Sequence, residues 1–376
     1  MSDYLESTLL ALVGTDTSVP SGATEILPGD PALADAVTSL VLPMIEALEP
    51  AEIRRHPDGD IAARFGPAGD DGLLLQTYIV SQHGNLMDDP HAARVIDGAS
   101  IGLEGPTVVG QGANQNKGPM AAALAGVRSL RDRGALSRPV WLTVNCEGRS
   151  SHGGSKRIFD DLGTTAAQAI LAFGTNLHVS LGNRGRVDVQ IAVHGASSHS
   201  SQPELGRNPI PPAAAIVAAL ASAPLPPPHP HLGPATATPY QFRCQPLAPH
   251  TLPALVQIVV DRRLLPGEEP GAAVDVLRRH VAGIWPDLTV TEGASMLPAL
   301  VPPDAAVVLA LAGAPTMHSR NAFDAGYGCS LGVPTVMFGP GRRDFGPGVV
   351  AAEAVSLVDC RRAATMLTAA ALTLCG

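Results

Sequence analysis

The stretch Gly110-Gln111-Gly112-Ala113-Asn114-Gln115-Asn116-Lys117-Gly118 decides how the rest of the chain is read. It follows a strand-like run and opens a helix. Pro119 suits the first helical turn, and Met120-Ala121-Ala122-Ala123-Leu124 carries the helix to about Arg133, where Gly134 stops it. Upstream, Leu73-Leu74-Leu75-Gln76-Thr77-Tyr78-Ile79-Val80 is a buried-strand run that delivers His83 at its carboxyl end. Downstream, Val140-Trp141-Leu142-Thr143-Val144 delivers Cys146 and Glu147. Strands alternating with helices predict an α/β chain with a doubly wound, mainly parallel sheet. Chemistry in such sheets gathers at the carboxyl ends of strands, and His83, Gln115 and Glu147 all fall there. The glycines do not read as a phosphate cradle, because the Ser or Thr needed after the lysine is Gly118.

The pattern changes after Gly182-Asn183-Arg184-Gly185. Residues 186–193 alternate with period two, as a half-exposed antiparallel strand does. A helix near 208–222, a stiff proline-rich loop at 224–230, strands near 238–248 and 253–263, a helix near 270–283 and a strand near 287–293 follow. That β-α-β-β-α-β order predicts a ferredoxin-like insert over 184–295, between two parts of a larger domain at 1–183 and 296–376. The parent sheet is expected to resume with 306–312 and Pro334-Thr335-Val336-Met337-Phe338, before a final helix from about 359.

At 376 residues the chain suits two domains, and its 45% hydrophobic content is ample for burial. A formal charge of −9 argues against nucleic acid or an anionic membrane as partner. Five dispersed cysteines without a CxxC pair suggest a reducing compartment. With no signal peptide and no apolar span, the expectation is a soluble cytoplasmic protein.

Six segments in order carry a resemblance: His83 after a strand; Gly110-x-Gly112-x5-Lys117-Gly118; Asn183-Arg184-Gly185; His194-Gly195-Ala196-Ser197-Ser198-His199-Ser200-Ser201-Gln202-Pro203-Glu204-x-Gly206-x-Asn208; Asp261-Arg262-Arg263-Leu264-Leu265-Pro266-Gly267-Glu268; and Gly332-Val333-Pro334-Thr335 with Phe338-Gly339-Pro340-Gly341. The chain resembles the superfamily of acetylornithine deacetylase, succinyl-diaminopimelate desuccinylase, aminoacylase and carboxypeptidase G over nearly its whole length. The resemblance implies a zinc peptidase-deacylase fold, a lid that dimerises, and two zinc ions held by two histidines and three carboxylates. Residue by residue, most of that ligand set is replaced. His83 matches the first histidine, but the aspartate that would orient it is Asn85. The bridging aspartate is Gln115, the glutamate beside the general base Glu147 is Gly148, and the next acidic ligand is Phe173. Counting back from Glu353, the last histidine is Val349. Three buried carboxylates without dications would repel one another, so a metal-free pocket needs most of them neutralised.

These substitutions lead to the expectation of a metal-independent enzyme with no cofactor. Its substrate would be a small carboxylate- or amide-bearing metabolite of a specialised pathway. The reaction would be acyl transfer, amide-forming condensation, cyclisation or proton-transfer isomerisation. Glu147 and His83 would handle protons, and the resemblance implies that His199 reaches the partner subunit's site in a homodimer. Gln115, Asn208, Arg263, Gly339 and Gly341 would bind substrate; Arg suits a carboxylate through its planar fork. Two rivals stand beside this reading: a zinc- or manganese-dependent amide hydrolase with substituted ligands, and a non-catalytic ligand-binding relative. Bland readings compete at single residues. Glu147 could pair with Arg149 or Arg157, His83 could be a satisfied core histidine, and Cys146 could be a nucleophile or a small buried hydrophobe. His152, Asp88, Asp89, His318 and Asp324 could form a relocated metal site, although no pair has ligand spacing.

Overall fold

The parallel core of the first sheet grows from three runs of β-branched and aliphatic residues that bury both faces. In the computed structural model Gly72–Tyr78 pairs in parallel with Val140–Asn145 on one side and with Ala166–Ala172 on the other; Thr335–Phe338 adds a fourth parallel strand. Every residue of the 72–78 and 140–145 strands is buried, as strands covered on both sides require. Antiparallel strands Glu52–Arg55 and Ile61–Phe65 extend one edge, and Val179–Asn183 and Ala299–Leu300 the other. The structure describes residues 2–19, 30–81, 87–133, 136–146, 151–162, 166–342 and 353–376. Among them, no helix is long and apolar enough to cross a membrane.

The chain divides into two compact units: 1–182 with 299–318 and 324–376, and 183–298 with 319–323. In the first, the helix Gly118–Arg133 lies in the main core and packs on the C-terminal helix Leu357–Cys375. Gly126 permits the approach: a Cβ there would sit 3.2 Å from the Ala364 carbonyl, and Thr368 Oγ1 donates to the Gly126 carbonyl (3.1 Å).

In the second unit, Gly185–His194, Thr236–Gln245, Leu255–Leu264 and Leu288–Met296 form an antiparallel sheet with the 185–194 and 255–264 strands central. Val187, Val189, Ile191 and Val193 point to one face, where helices Ile210–Leu220 and Pro270–Val281 cover them. This is the β-α-β-β-α-β order that the alternating pattern predicts.

Two local expectations are corrected. Residues 306–310, read as a strand, form the short helix Ala306–Ala310. Val307, Val308 and Leu311 are buried while Leu309 is 61% exposed, which is helical spacing in a run rich in Ala and Leu. Thr316–Ser319 adds a further strand that pairs with Val179–Asn183. Pro106–Val109, the run before the glycine turn, does not join the parallel sheet. It is the middle strand of a separate antiparallel trio with Arg94–Asp97 and Ala354–Ser356.

Candidate functional site

Although its strand belongs to the small sheet, the glycine turn is clamped to the end of the parallel one. Asn116 Nδ2 donates to the carbonyls of Tyr78 (3.0 Å) and Val80 (3.1 Å), where the 72–78 strand exits. Gly112 takes φ +80, and a Cβ on it would meet Lys117 Cδ at 2.9 Å, so only glycine suits the position. Residues Ala113–Lys117 then make a wide helical turn, with the Lys117 N–H reaching back to the Gly112 carbonyl (2.9 Å).

A carboxylate that sequence reasoning used only as a ruler organises this turn. Glu353, 2% exposed, accepts the backbone N–H groups of Gly112 and Gln115 (each 2.9 Å), and its carbonyl accepts that of Gly110 (2.9 Å). Lys117 is fully buried; its ammonium donates to the Thr15 carbonyl (2.8 Å). Burial pulls the Lys117 pKa down to about 8, against the pull of Glu353 and Asp16. The charges under the turn are therefore internal ones.

Gln115 itself is 6% exposed. Its N–H goes to Glu353, its carbonyl accepts Gly174 N–H (3.0 Å), and its side-chain Oε1 has no hydrogen-bond partner among the described residues. Asn114 Oδ1 and Asn116 Oδ1 are likewise buried and unpartnered. Phe173 lies next to this floor, its ring stacked on Tyr78 with centroids 6.1 Å and planes 23° apart. The glycine loop closes the same region. Thr175 Oγ1 accepts Gly339 N–H (3.1 Å), and the Gly341 carbonyl accepts Asn176 N–H (2.8 Å). A Cβ on Gly174 would lie 2.4 Å from the Asn114 carbonyl, and one on Gly339 2.5 Å from the Phe173 carbonyl. Gln115, Phe173, Gly339 and Gly341 thus come together in the first unit.

The remaining candidates divide in two. His199, Asn208 and Arg263 lie in the second unit. There Asn208 Oδ1 accepts Ile210 N–H (3.0 Å) at the start of a helix. Arg263 places Nε and Nη2 on Asp261 (2.6 and 2.8 Å), so the fork expected to grip a carboxylate already holds one inside the chain. His83, Asn85, Glu147, Gly148 and Val349 lie outside the described residues.

The bland readings fare unequally. Burial, reinforced by Asp60, pushes the Cys146 thiol well above its ordinary range, which disfavours a nucleophilic thiolate. Arg157 Nε binds the buried Asp60 (2.7 Å), whose other oxygen accepts Cys146 N–H (2.7 Å). Of the five residues considered for a relocated metal, His152 and Asp324 meet as a pair, 3.0 Å apart. Among the described residues no three His, Cys, Asp or Glu gather as a metal-binding group. An uncharged amide at 115 and a phenyl ring at 173 do not fit a dinuclear metal centre, which needs carboxylates to balance the ions.

Residues 181–288 match the peptidase dimerisation domain. The chain is 28% identical over 209 residues to the succinyl-diaminopimelate desuccinylase of Novosphingobium aromaticivorans, covering 52% of this chain and 53% of that protein. It is 29% identical over 159 residues to the Rhodospirillum centenum enzyme of the same name, covering 39% of each. At best the chain spans about half the length of the curated relatives it matches. Among solved structures, a metallo-carboxypeptidase from Sulfolobus solfataricus superposes with a TM-score of 0.77 at 15% identity, covering 98% of this chain and 99% of that one. Human carnosine dipeptidase 1 superposes with a TM-score of 0.73 at 14% identity, covering 99% and 96%. Sequence and fold together support a likeness to the deacylase and carboxypeptidase superfamily, with a peptidase dimerisation domain carried on a peptidase-like fold.

Proposed function

We propose that the protein is a metal-independent enzyme on this scaffold, acting on a small carboxylate- or amide-bearing metabolite. The observation that carries the reading is Gln115. Gln115, a neutral amide, is buried and its acceptor oxygen is unpartnered among the described residues; the resemblance implies a bridging carboxylate at this position and a further acidic ligand at Phe173, which stacks on Tyr78. Such a floor can accept an N–H or O–H from a substrate; it cannot balance two dications.

Without a metal to acidify water, hydrolysis loses its usual nucleophile. Acyl transfer to an amine, amide-forming condensation, cyclisation and proton-transfer isomerisation fit the remaining groups better. In this reading Glu147 takes a proton from the incoming nucleophile and returns it to the leaving group, while His83 supplies a second hydrogen bond. His199 of the partner subunit steadies charge on a carbonyl oxygen in a homodimer built through the dimerisation domain. Within the first unit, the Gly339–Gly341 loop beside Gln115 and Phe173 would hold the substrate.

The test is turnover by chelator-treated, dialysed protein. N-succinyl and N-acetyl amino acids would be offered with and without amine acceptors, and products read by mass spectrometry. Product formation indifferent to chelation supports the proposal. Turnover that appears only on adding zinc or manganese overturns it and favours a metal-dependent amide hydrolase, the chemistry named for the carboxypeptidase neighbour.

A further inference from the structure

Within the second unit, His199 is held by Ser201, from its own motif, and by His250, which lies outside it. The Ser201 backbone N–H points at His199 Nδ1 (3.2 Å), and Ser201 Oγ lies 2.7 Å from the same nitrogen. A backbone N–H can only donate, so Nδ1 must be the acceptor, and the hydroxyl turns its proton the same way. A neutral imidazole carries one ring proton, which therefore sits on Nε2.

The ring is also braced from the side. His250 stacks on His199 with centroids 6.2 Å and planes 29° apart. Backbone pairing brings it there: Ser200 N–H donates to the His250 carbonyl (2.8 Å), Leu252 N–H to the Ser198 carbonyl (2.9 Å), and His199 bridges Thr251 antiparallel. His250 adopts φ +54, left-handed backbone that non-glycine residues seldom take, Asn, Asp and His being the commoner exceptions. The loop maintains that conformation with a histidine ring at its tip.

We infer that Ser201 and His250 are positioning residues that fix His199 as a hydrogen-bond donor through Nε2. The ligand atom His199 meets is then a lone-pair acceptor, a carbonyl or carboxylate oxygen, and His199 does not act as a base. This last step rests on the substrate role proposed for His199; the tautomer is a property of the free protein.

The experiment is long-range proton–nitrogen correlation on the full chain labelled with nitrogen-15 histidine, recorded in alkaline buffer. Wild type is compared with Ser201→Ala and with His250→Asn, since Asn tolerates left-handed backbone and leaves the loop able to fold. The expected result is one His199 tautomer in wild type, protonated at Nε2. In each variant its signals should shift toward those of a free, rotating histidine. A wild-type His199 protonated at Nδ1, or mixed between tautomers, would overturn the inference. A variant that leaves the wild-type pattern unaltered removes that residue from the account. No substrate is involved, so failure here is separate from failure of the proposed function, which full turnover by His199→Ala would reveal.

Discussion

Replacing Gln115 by aspartate restores the charge that a dinuclear centre would need, and the structure shows why the fold should resist it. The side chain is 6% exposed, and two backbone donors of its turn, the N–H groups of Gly112 and Gln115, already serve Glu353. The new carboxylate would be buried in a turn that a second carboxylate already staples. Such burial raises a carboxyl pKa by roughly 2–3 units, or about 3–4 kcal/mol of lost stability at 1.36 kcal/mol per unit. The folded-state pKa lies above the unfolded one, so the penalty is absent below about pH 4 and complete above about pH 7. Urea unfolding of Gln115→Asp against the shape control Gln115→Asn, at pH 8 and pH 5 with chelator present, reads it directly. The loss should fall by more than half between the two pH values, and added zinc should not restore it. Equal stability of the two variants at pH 8, or rescue by zinc, would refute the reasoning.

Three further outcomes are expected. Lys117 gives up its proton at about 8 when folded and nearer its ordinary value when unfolded, so stability should rise from pH 8 toward 10.5. In Lys117→Met that rise, about 3 kcal/mol at most, should vanish from unfolding curves taken across the range. Glu353→Gln turns an acceptor pair into one acceptor and one donor facing backbone N–H groups. Its cost in chemical denaturation should be about 2–3 kcal/mol. Asn208→Ala should lose about 1 kcal/mol of thermal stability as its turn at the helix start opens, and Asn208→Ser, which keeps an acceptor, should recover most of it. A turnover loss in Asn208→Ser with stability intact would mark a substrate role.

The parallel strands and the glycine turn were legible because both depend on local patterns. Continuous apolar runs rich in β-branched residues and bounded by turn signals favour buried strands, and a left-handed Gly112 is needed to start the wide turn. The second unit's sheet was legible because Val187, Val189, Ile191 and Val193 alternate strictly. Residues 306–310 were not, since five apolar residues fit either period and only tertiary contacts exposed Leu309 while burying Val307 and Val308. Glu353 lies 238 residues from Gln115, and no pattern at either position announces that one carboxylate staples the turn. Arg263 and Asn208 were assigned through resemblance, whereas Asp261 two residues away on the same strand face and the helix start beside Asn208 offered nearer partners. Local partners take a side chain's hydrogen bonds before distant ones are considered.

The proposed chemistry at Gln115 and Phe173 runs without metal. Elemental analysis by mass spectrometry of protein purified without chelator, paired with turnover before and after chelation, tests it most directly. The account predicts substoichiometric zinc and manganese with turnover unchanged by chelation. One or two equivalents of either metal per chain, with turnover lost on removal and regained on its return, would contradict it.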